Sequence, residues 1–385
     1  MSLKQFRWIA LSLAAVLILT ASAAIGMGWF FSRQLIDPSV VGANSFQYTV
    51  VKSNLDTVIV SGSFAPSPGA PQPEQFNTMT RPGGEVYRIR FMDRRDDGDL
   101  QYSLGAATPP VRMKSGDKIG LVRVDDPKSF AGLDFSNIKY DSDLGPISAW
   151  FIPSTGTTWA VLVHGRYGGP GVRNGLLQVA RLLHEQSMPI VLPLIRNDVG
   201  EPTSPDGLYH LGDTEWRDVE AVMQYGIKRG AQRFILFGGS MGGAVVAQTL
   251  RRSNLSNRIA GLILDSAPLD WRAVVRNQAN QRGIPEALAP LPIAAASVRA
   301  GINFDDLDMI ANPPSSKPPT LLIHGDSDAT VPVTISRRLA AEAPQIGWPT
   351  RYMEFPGAGH VQSQYSNPPR YNDAVTAFIK GLPLK

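Results

Sequence analysis

Ser240 lies in Gly238-Gly239-Ser240-Met241-Gly242-Gly243, between the apolar run Phe234-Ile235-Leu236-Phe237 and a helical pattern through Ala244, Val245, Gln248 and Thr249. A strand that turns straight into a helix around a serine needs neighbours almost free of side chains, and these glycines provide them. A serine held on such a turn is exposed and placed to attack a carbonyl. A glycine-rich loop that merely contains a serine would lack the entering strand and the departing helix, and here both patterns are present.

A hydroxyl is a poor nucleophile at neutral pH and needs a base oriented by a third group. The chain has five histidines. His164 and His324 end apolar strands, in Val161-Leu162-Val163-His164-Gly165 and Leu321-Leu322-Ile323-His324-Gly325, where strand-end packing and loop shaping are the expected roles. His184 falls on the outer face of a helical pattern, and His210 in an irregular stretch with glycine and proline. His360 follows the strand-like Arg351–Phe355 and the turn Pro356-Gly357-Ala358-Gly359, a setting suited to carrying an imidazole over a sheet edge. For the acid, Asp328 stands just past a strand in His324-Gly325-Asp326-Ser327-Asp328-Ala329-Thr330-Val331-Pro332, with Asp326 as a competitor. Asp265, at the end of Leu262-Ile263-Leu264, is a further alternative.

The order Ser240, Asp328, His360 is that of an α/β-hydrolase triad. From about Leu133 to Lys385 the chain resembles the α/β-hydrolase superfamily, in particular its bacterial serine-hydrolase branch of Bem46-type and prolyl-oligopeptidase-like proteins. The resemblance implies that the aspartate of the His-Gly-x-x-Asp-x-x-Val-Pro pattern, Asp328, is the triad acid, and that Asp326 shapes the loop. It also implies an oxyanion hole made by the backbone N–H of Met241 and that of Arg166, the latter in His164-Gly165-Arg166-Tyr167-Gly168-Gly169. Each such amide stabilises a tetrahedral intermediate by about 2.7–4 kcal/mol.

Apolar strands at Trp159–Val163, Pro189–Leu194, Arg233–Phe237, Ile259–Leu264 and Thr320–Ile323 alternate with helical patterns, including Asn174–Gln186 and Thr214–Arg229. This alternation predicts an α/β fold, a mainly parallel sheet covered by helices on both faces, with its site at the carboxyl ends of the strands. Ile138–Tyr140 and Ile147–Ile152, joined through Asp143-Leu144-Gly145-Pro146, predict an opening hairpin, and Pro268–Asn312 a small helical cap. Arg196-Asn197-Asp198 reads as a loop salt bridge near the pocket, and Trp216 and Trp271 as buried packing.

Before this region, Lys4 and Arg7 precede an apolar run from Trp8 to Phe31, long enough to cross a hydrocarbon core of about 30 Å. Ala21-Ser22-Ala23 offers a cleavage pattern, but the run continues past it, which favours an uncleaved anchor. The positive-inside rule then puts the large domain outside the cytoplasm, on a single-pass protein of the cell membrane. Phe46–Val60, Glu85–Met92 and Lys118–Val124 read as strands of a small β-rich module, with a proline-rich loop at Pro66–Pro73. The acidic stretch Asp93–Asp99 departs from cation-loop spacing and reads as a solvated turn. The divisions expected are thus 1–31, 32–131 and 132–385, with the cap at about 268–312.

The absence of cysteine excludes disulfides and thiolate metal sites, and a formal charge of +4 with no basic block gives no sign of nucleic-acid binding. Neither a cofactor nor a metal is expected. The expected activity is hydrolysis of an ester, thioester or amide through an acyl-enzyme, on a small-molecule or lipid acyl substrate. The alternatives are an acyltransferase with the same triad and a non-catalytic envelope scaffold. An apolar groove under 268–312 would suit acyl chains, whereas acidic and aromatic side chains there would suit peptides.

Overall fold

The computed structural model describes residues 3–43, 47–61, 72–81, 85–105, 113–166, 169 and 171–383. Phe46, most of the proline-rich loop, Tyr167 and Gly168, and the side chain of Lys4, lie outside the described residues. The chain begins with α1 (Leu3–Ile36), 34 residues long, followed by the short α2 (Pro38–Ala43). Leu11–Ile36 is long and apolar enough to cross a membrane, with mean hydropathy 2.0, and only 7% of its most apolar stretch is buried inside the protein. Its last turn differs from the rest: Leu35 and Ile36 join the main hydrophobic core.

Six antiparallel strands then close a small barrel: β1 (Tyr48–Ser53), β2 (Thr57–Ser61), β3 (Thr78–Thr80), β4 (Val86–Arg94), β5 (Leu100–Leu104) and β6 (Lys118–Val122), in the order β1-β2-β5-β4-β3-β6. The stretch read as strand from Phe46 to Val60 is broken into β1 and β2 at Asn54. Its Oδ1 accepts from the amides of Asp56 and Thr57 and so turns the chain back as an Asx turn. β3 is only three residues long, too short to stand out by alternation. The barrel has its own core around Tyr102, Met79 and Ile119, all fully buried. The acidic stretch is an exposed turn between β4 and β5.

After α3 (Pro127–Ala131) comes an eight-stranded sheet: β7 (Ser136–Ser142), β8 (Gly145–Ile152), β9 (Thr158–Val163), β10 (Ile190–Pro193), β11 (Arg233–Gly239), β12 (Ile259–Asp265), β13 (Thr320–Gly325) and β14 (Thr350–Phe355). The order is β14-β13-β12-β11-β9-β10-β8-β7, parallel from β10 to β14, with the antiparallel hairpin β7/β8 at one edge. The strands read as unbroken apolar runs because both faces are covered. On β9, Trp159, Val161 and Val163 face the core shared with α5 (Trp216–Ile227), α6 (Met241–Arg252) and α9 (Thr334–Glu342). Ala160 and Leu162 face the opposite core, packed by α4 (Leu177–His184) and α11 (Pro368–Lys380). The segment 268–312 holds α7 (Trp271–Gln281) and α8 (Pro290–Ala300); the short α10 (Ser363–Ser366) precedes α11.

Arg196, whose side chain is 3% exposed, bonds both oxygens of the fully buried Asp218 and also reaches Asp143. This pins the loop after β10 to α5 and to the β7/β8 turn.

Candidate active site

Three loops at the carboxyl ends of β11, β13 and β14 bring Ser240, Asp328 and His360 together. Ser240 Oγ and His360 Nε2 are 2.8 Å apart, and His360 Nδ1 and Asp328 Oδ2 are 2.8 Å apart. The proton fits on Nδ1, donated to the carboxylate, which leaves Nε2 to accept from the hydroxyl.

The turn at Ser240 is strained, with φ 52° and ψ −130°. Its amide donates to the carbonyl of Asp265 on the neighbouring strand. The glycines make the approach of strand and helix possible. A Cβ on Gly242 would lie on the carbonyl oxygens of Val163 and His164, and one on Gly238 on the carbonyl of Gly242. Six non-glycine residues have positive φ among the described residues, and Ser240, Ser266 and Val361 cluster here. Ser266 Oγ accepts from the Val361 amide, next to the imidazole, and donates to Asp265. Strain gathered at one place marks a site that its surroundings hold against local preference.

Asp328 is held from several sides. Its Oδ1 accepts from the amides of Thr330 and Val331, while His324 Nε2 lies 3.2 Å from its Oδ2. Burial alone would raise its pKa, but hydrogen bonds from His324, His360 and the Val331 amide outweigh that and hold it well below the usual carboxylate range. The carboxylate therefore stays ionised beside the imidazole. His324, fully buried, also reaches the carbonyl of Val331 and the hydroxyl of Ser336, so it shapes the acid loop and grips the acid at once. Asp326 accepts from the Gly357 amide and ties the acid loop to the histidine loop.

Asp265 does not bond His360. It is fully buried, accepts from Tyr371 and Ser266, and is pushed up to about 6 by burial. With its pKa higher folded than unfolded, the native state holds the extra proton between about pH 4 and 6. Stability therefore falls as pH rises through that window and stays lower above it. Asp265→Asn removes the buried charge and is expected to raise the melting temperature by several degrees at pH 8. The gain should fade toward pH 4, and scanning calorimetry at both values checks it.

The loop after β9 approaches closely: a Cβ on Gly165 would sit 3.0 Å from that of Ser240. His164 Nε2 lies 2.8 Å from Asp198 in a fully buried pair. Burial would lower this imidazole's pKa, but the Asp198 carboxylate outweighs it and the net shift is upward. Neither the Arg166 amide nor the Met241 amide donates to another described residue. The Arg166 guanidinium, which sequence reasoning passed over, donates to the backbone carbonyls of Gln34 (3.1 Å) and Leu35 (2.7 Å) at the end of α1. Tyr209 fastens the same end by donating its amide to the carbonyl of Ile36.

A cavity of about 520 Å³ opens at Ser240, within the usual range for small-molecule sites. Its walls come from α1, α7 and the approach to α8, with Met27, Phe31, Leu35, Trp271 and Val275 among them. Trp271 is buried, its indole donating to the carbonyl of Leu211, yet one face borders the cavity. Trp216 is half-buried, and Arg196 does not reach the cavity. Among the described residues no cluster could hold a metal ion.

Residues 197–382 match the prolyl oligopeptidase family. An uncharacterised protein of Mycobacterium tuberculosis is 27% identical over 241 residues, covering 60% of this chain and 74% of that protein. An esterase of Pyrococcus furiosus superposes with a TM-score of 0.54 at 18% identity, over 68% of this chain and 96% of its own. The acylaminoacyl peptidase of Pyrococcus horikoshii gives 0.53 at 13% identity, over 77% of this chain and 53% of its own. The chain has the α/β-hydrolase fold, preceded by an apolar helix and a six-stranded barrel, and its carboxyl-terminal half is similar to the prolyl oligopeptidase family.

Proposed function

We propose that the protein is a membrane-anchored serine hydrolase that cleaves an ester, thioester or amide through an acyl-enzyme. The observation that carries this is the continuous hydrogen-bonded chain from Ser240 through His360 to Asp328, with Ser240 opening on a largely apolar cavity. The family match and the esterase and peptidase neighbours support a hydrolase at that coarser level. In the reaction, Ser240 Oγ attacks the carbonyl carbon while His360 Nε2 takes its proton, and Asp328 steadies the imidazolium. The amides of Met241 and Arg166 receive the oxyanion. Collapse of the intermediate expels the alcohol, thiol or amine with the proton from His360. Water, deprotonated by the same histidine, then releases the acid and restores Ser240.

In this reading α1 is the uncleaved anchor. Its bare apolar surface, with Trp8, Leu11, Ile18, Leu19 and Ile25 all exposed, fits lipid better than water. The hydrolase body, from residue 132 on, stands on the extracytoplasmic side and holds the end of α1 directly, while the barrel separates the two only in sequence.

The test is labelling of the full chain in detergent with a fluorophosphonate, beside Ser240→Ala. The expected result is covalent labelling of the wild type and none of the variant. An unlabelled, folded wild type would defeat the proposal.

A further inference from the structure

The cavity at Ser240 is built in part from the membrane helix. Met27, Phe31 and Leu35 recur along one side of α1 and form a wall, and Arg166 and Tyr209 fasten the end of that helix to the body. No acidic side chain lines the cavity among the described residues; its remaining wall is largely apolar, with Trp271, Val274, Val275 and Pro292, and carries Gln278 and Arg282 as polar groups. A chamber of this kind has no carboxylate to hold the cationic groups of a peptide and a mostly apolar wall to receive a hydrocarbon chain.

Its height relative to the bilayer follows from helix length. At 1.5 Å per residue α1 is about 51 Å long, while a hydrocarbon core of about 30 Å takes up about 20 residues. Counted from Trp8, just after the basic Arg7, the core ends near Gly28. The cavity wall from Met27 to Leu35 therefore begins where the hydrocarbon ends. Trp29, 52% exposed, sits at that level, where indole rings favour the interface.

The cap helix lies at the same level. Gly28 lets the backbone of Leu291 come so near that a Cβ would be 2.9 Å from its carbonyl oxygen, and Arg299 covers Trp29 and bonds Ser32. From Ala287 to Val298 the cap carries no charge, and its exposed residues Pro290, Ala294 and Val298 recur every four positions as one outward stripe. Val298 is 85% exposed. An apolar stripe beside a membrane helix, at the depth of the interface, is placed to rest in the headgroup boundary.

We infer that the substrate is a long-chain acyl ester of a membrane lipid, drawn sideways from the bilayer between α1 and the cap, with its acyl chain lying along the Met27–Leu35 face of α1. This rests on the serine-hydrolase reading above and specifies its substrate. α1 is then part of the acyl site as well as an anchor.

The experiment uses the full chain in detergent micelles. It compares kcat/KM for p-nitrophenyl palmitate and p-nitrophenyl butyrate, with fluorophosphonate labelling run alongside. Met27→Trp fills the cavity, and Ile25→Trp adds the same bulk at a site 71% exposed on the outer surface. The palmitate-to-butyrate ratio is expected to fall at least tenfold in Met27→Trp and to stay within twofold in Ile25→Trp. An unchanged ratio in labelled, folded Met27→Trp, or a wild type that cleaves butyrate and not palmitate, overturns the inference while leaving the hydrolase reading intact. Loss of labelling in the wild type removes both. As a second route that needs no cavity variant, wild type in phosphatidylcholine vesicles is exposed to phosphatidylcholine bearing a diazirine-tagged palmitoyl chain. Crosslinks at Met27 and Phe31 support the inference, and crosslinks confined to the outer surface of α1 before Gly26 overturn it.

Discussion

Asp328→Asn lowers kcat by about 10⁴-fold in a protein that still folds. Oδ1 of the side chain is committed to the amides of Thr330 and Val331, so an asparagine must keep its oxygen there. Its NH2 then replaces Oδ2 and faces His360 Nδ1. With a donor opposite, His360 moves its proton to Nε2, and an Nε2–H cannot accept from Ser240. The nucleophile loses its base, and the His324 contact at Oδ2 is lost with it, while the amides of Thr330 and Val331 still hold the side chain in place. Asp265→Asn, by contrast, keeps turnover within tenfold, because the Asp265 carboxyl bonds Tyr371 and Ser266 and not the imidazole. Steady-state rates on p-nitrophenyl butyrate, with circular dichroism as the folding control, decide between the two acids. A collapse in Asp265→Asn with Asp328→Asn near normal would reverse the assignment.

Gly242→Ala destabilises the protein by at least about 3 kcal/mol and removes activity with it. The added methyl meets the carbonyl oxygens of Val163 and His164, both backbone atoms at the end of a central strand, so no side chain can swing aside. The strain has two outlets: α6 lifts off β9, or Ser240 leaves its positive-φ conformation. Either displaces Oγ from His360. A urea titration followed by tryptophan fluorescence should show the lower midpoint, and a variant as stable as the wild type would mean the elbow has slack that its geometry does not show. Gly230→Ala, at a surface turn with φ +96° and no atom within 4 Å of the new methyl, serves as a strain-only comparison and should cost less.

The site was legible where local pattern and chemistry coincide. Ser240 announces itself because the elbow demands glycines at fixed offsets, and the central strands because burial on both faces confines polar residues to their ends. His360 and Asp328 come from chain order and from their place just past strands. His324 shows what such reading leaves out. Its position at a strand end was visible, but its grip on Asp328 depends on how the following loop folds back, and spacing alone does not state that. The same holds for Ser266, an unremarkable residue in the sequence that links Asp265 to the His360 loop. The barrel was visible only in part, since a three-residue strand such as β3 has no periodicity to detect. Least legible of all was the dual use of α1. Its apolar run fully explains a membrane span, and nothing local tells that Arg166, 131 positions after Leu35, will close upon its end.

That long-range clasp bears on the order of events during synthesis. Ile36 leaves the ribosome long before the strands that bury it, and Arg166 before β11, β13 and β14. On the proposed reading the amide of Arg166 serves the oxyanion while its guanidinium grips the membrane helix, so a nascent chain whose helix has not been released to its final place has a serine without a finished pocket. Docking of the helix end against the body and completion of the pocket then become one event, and a copy whose helix end stays undocked is also a copy that does not cut.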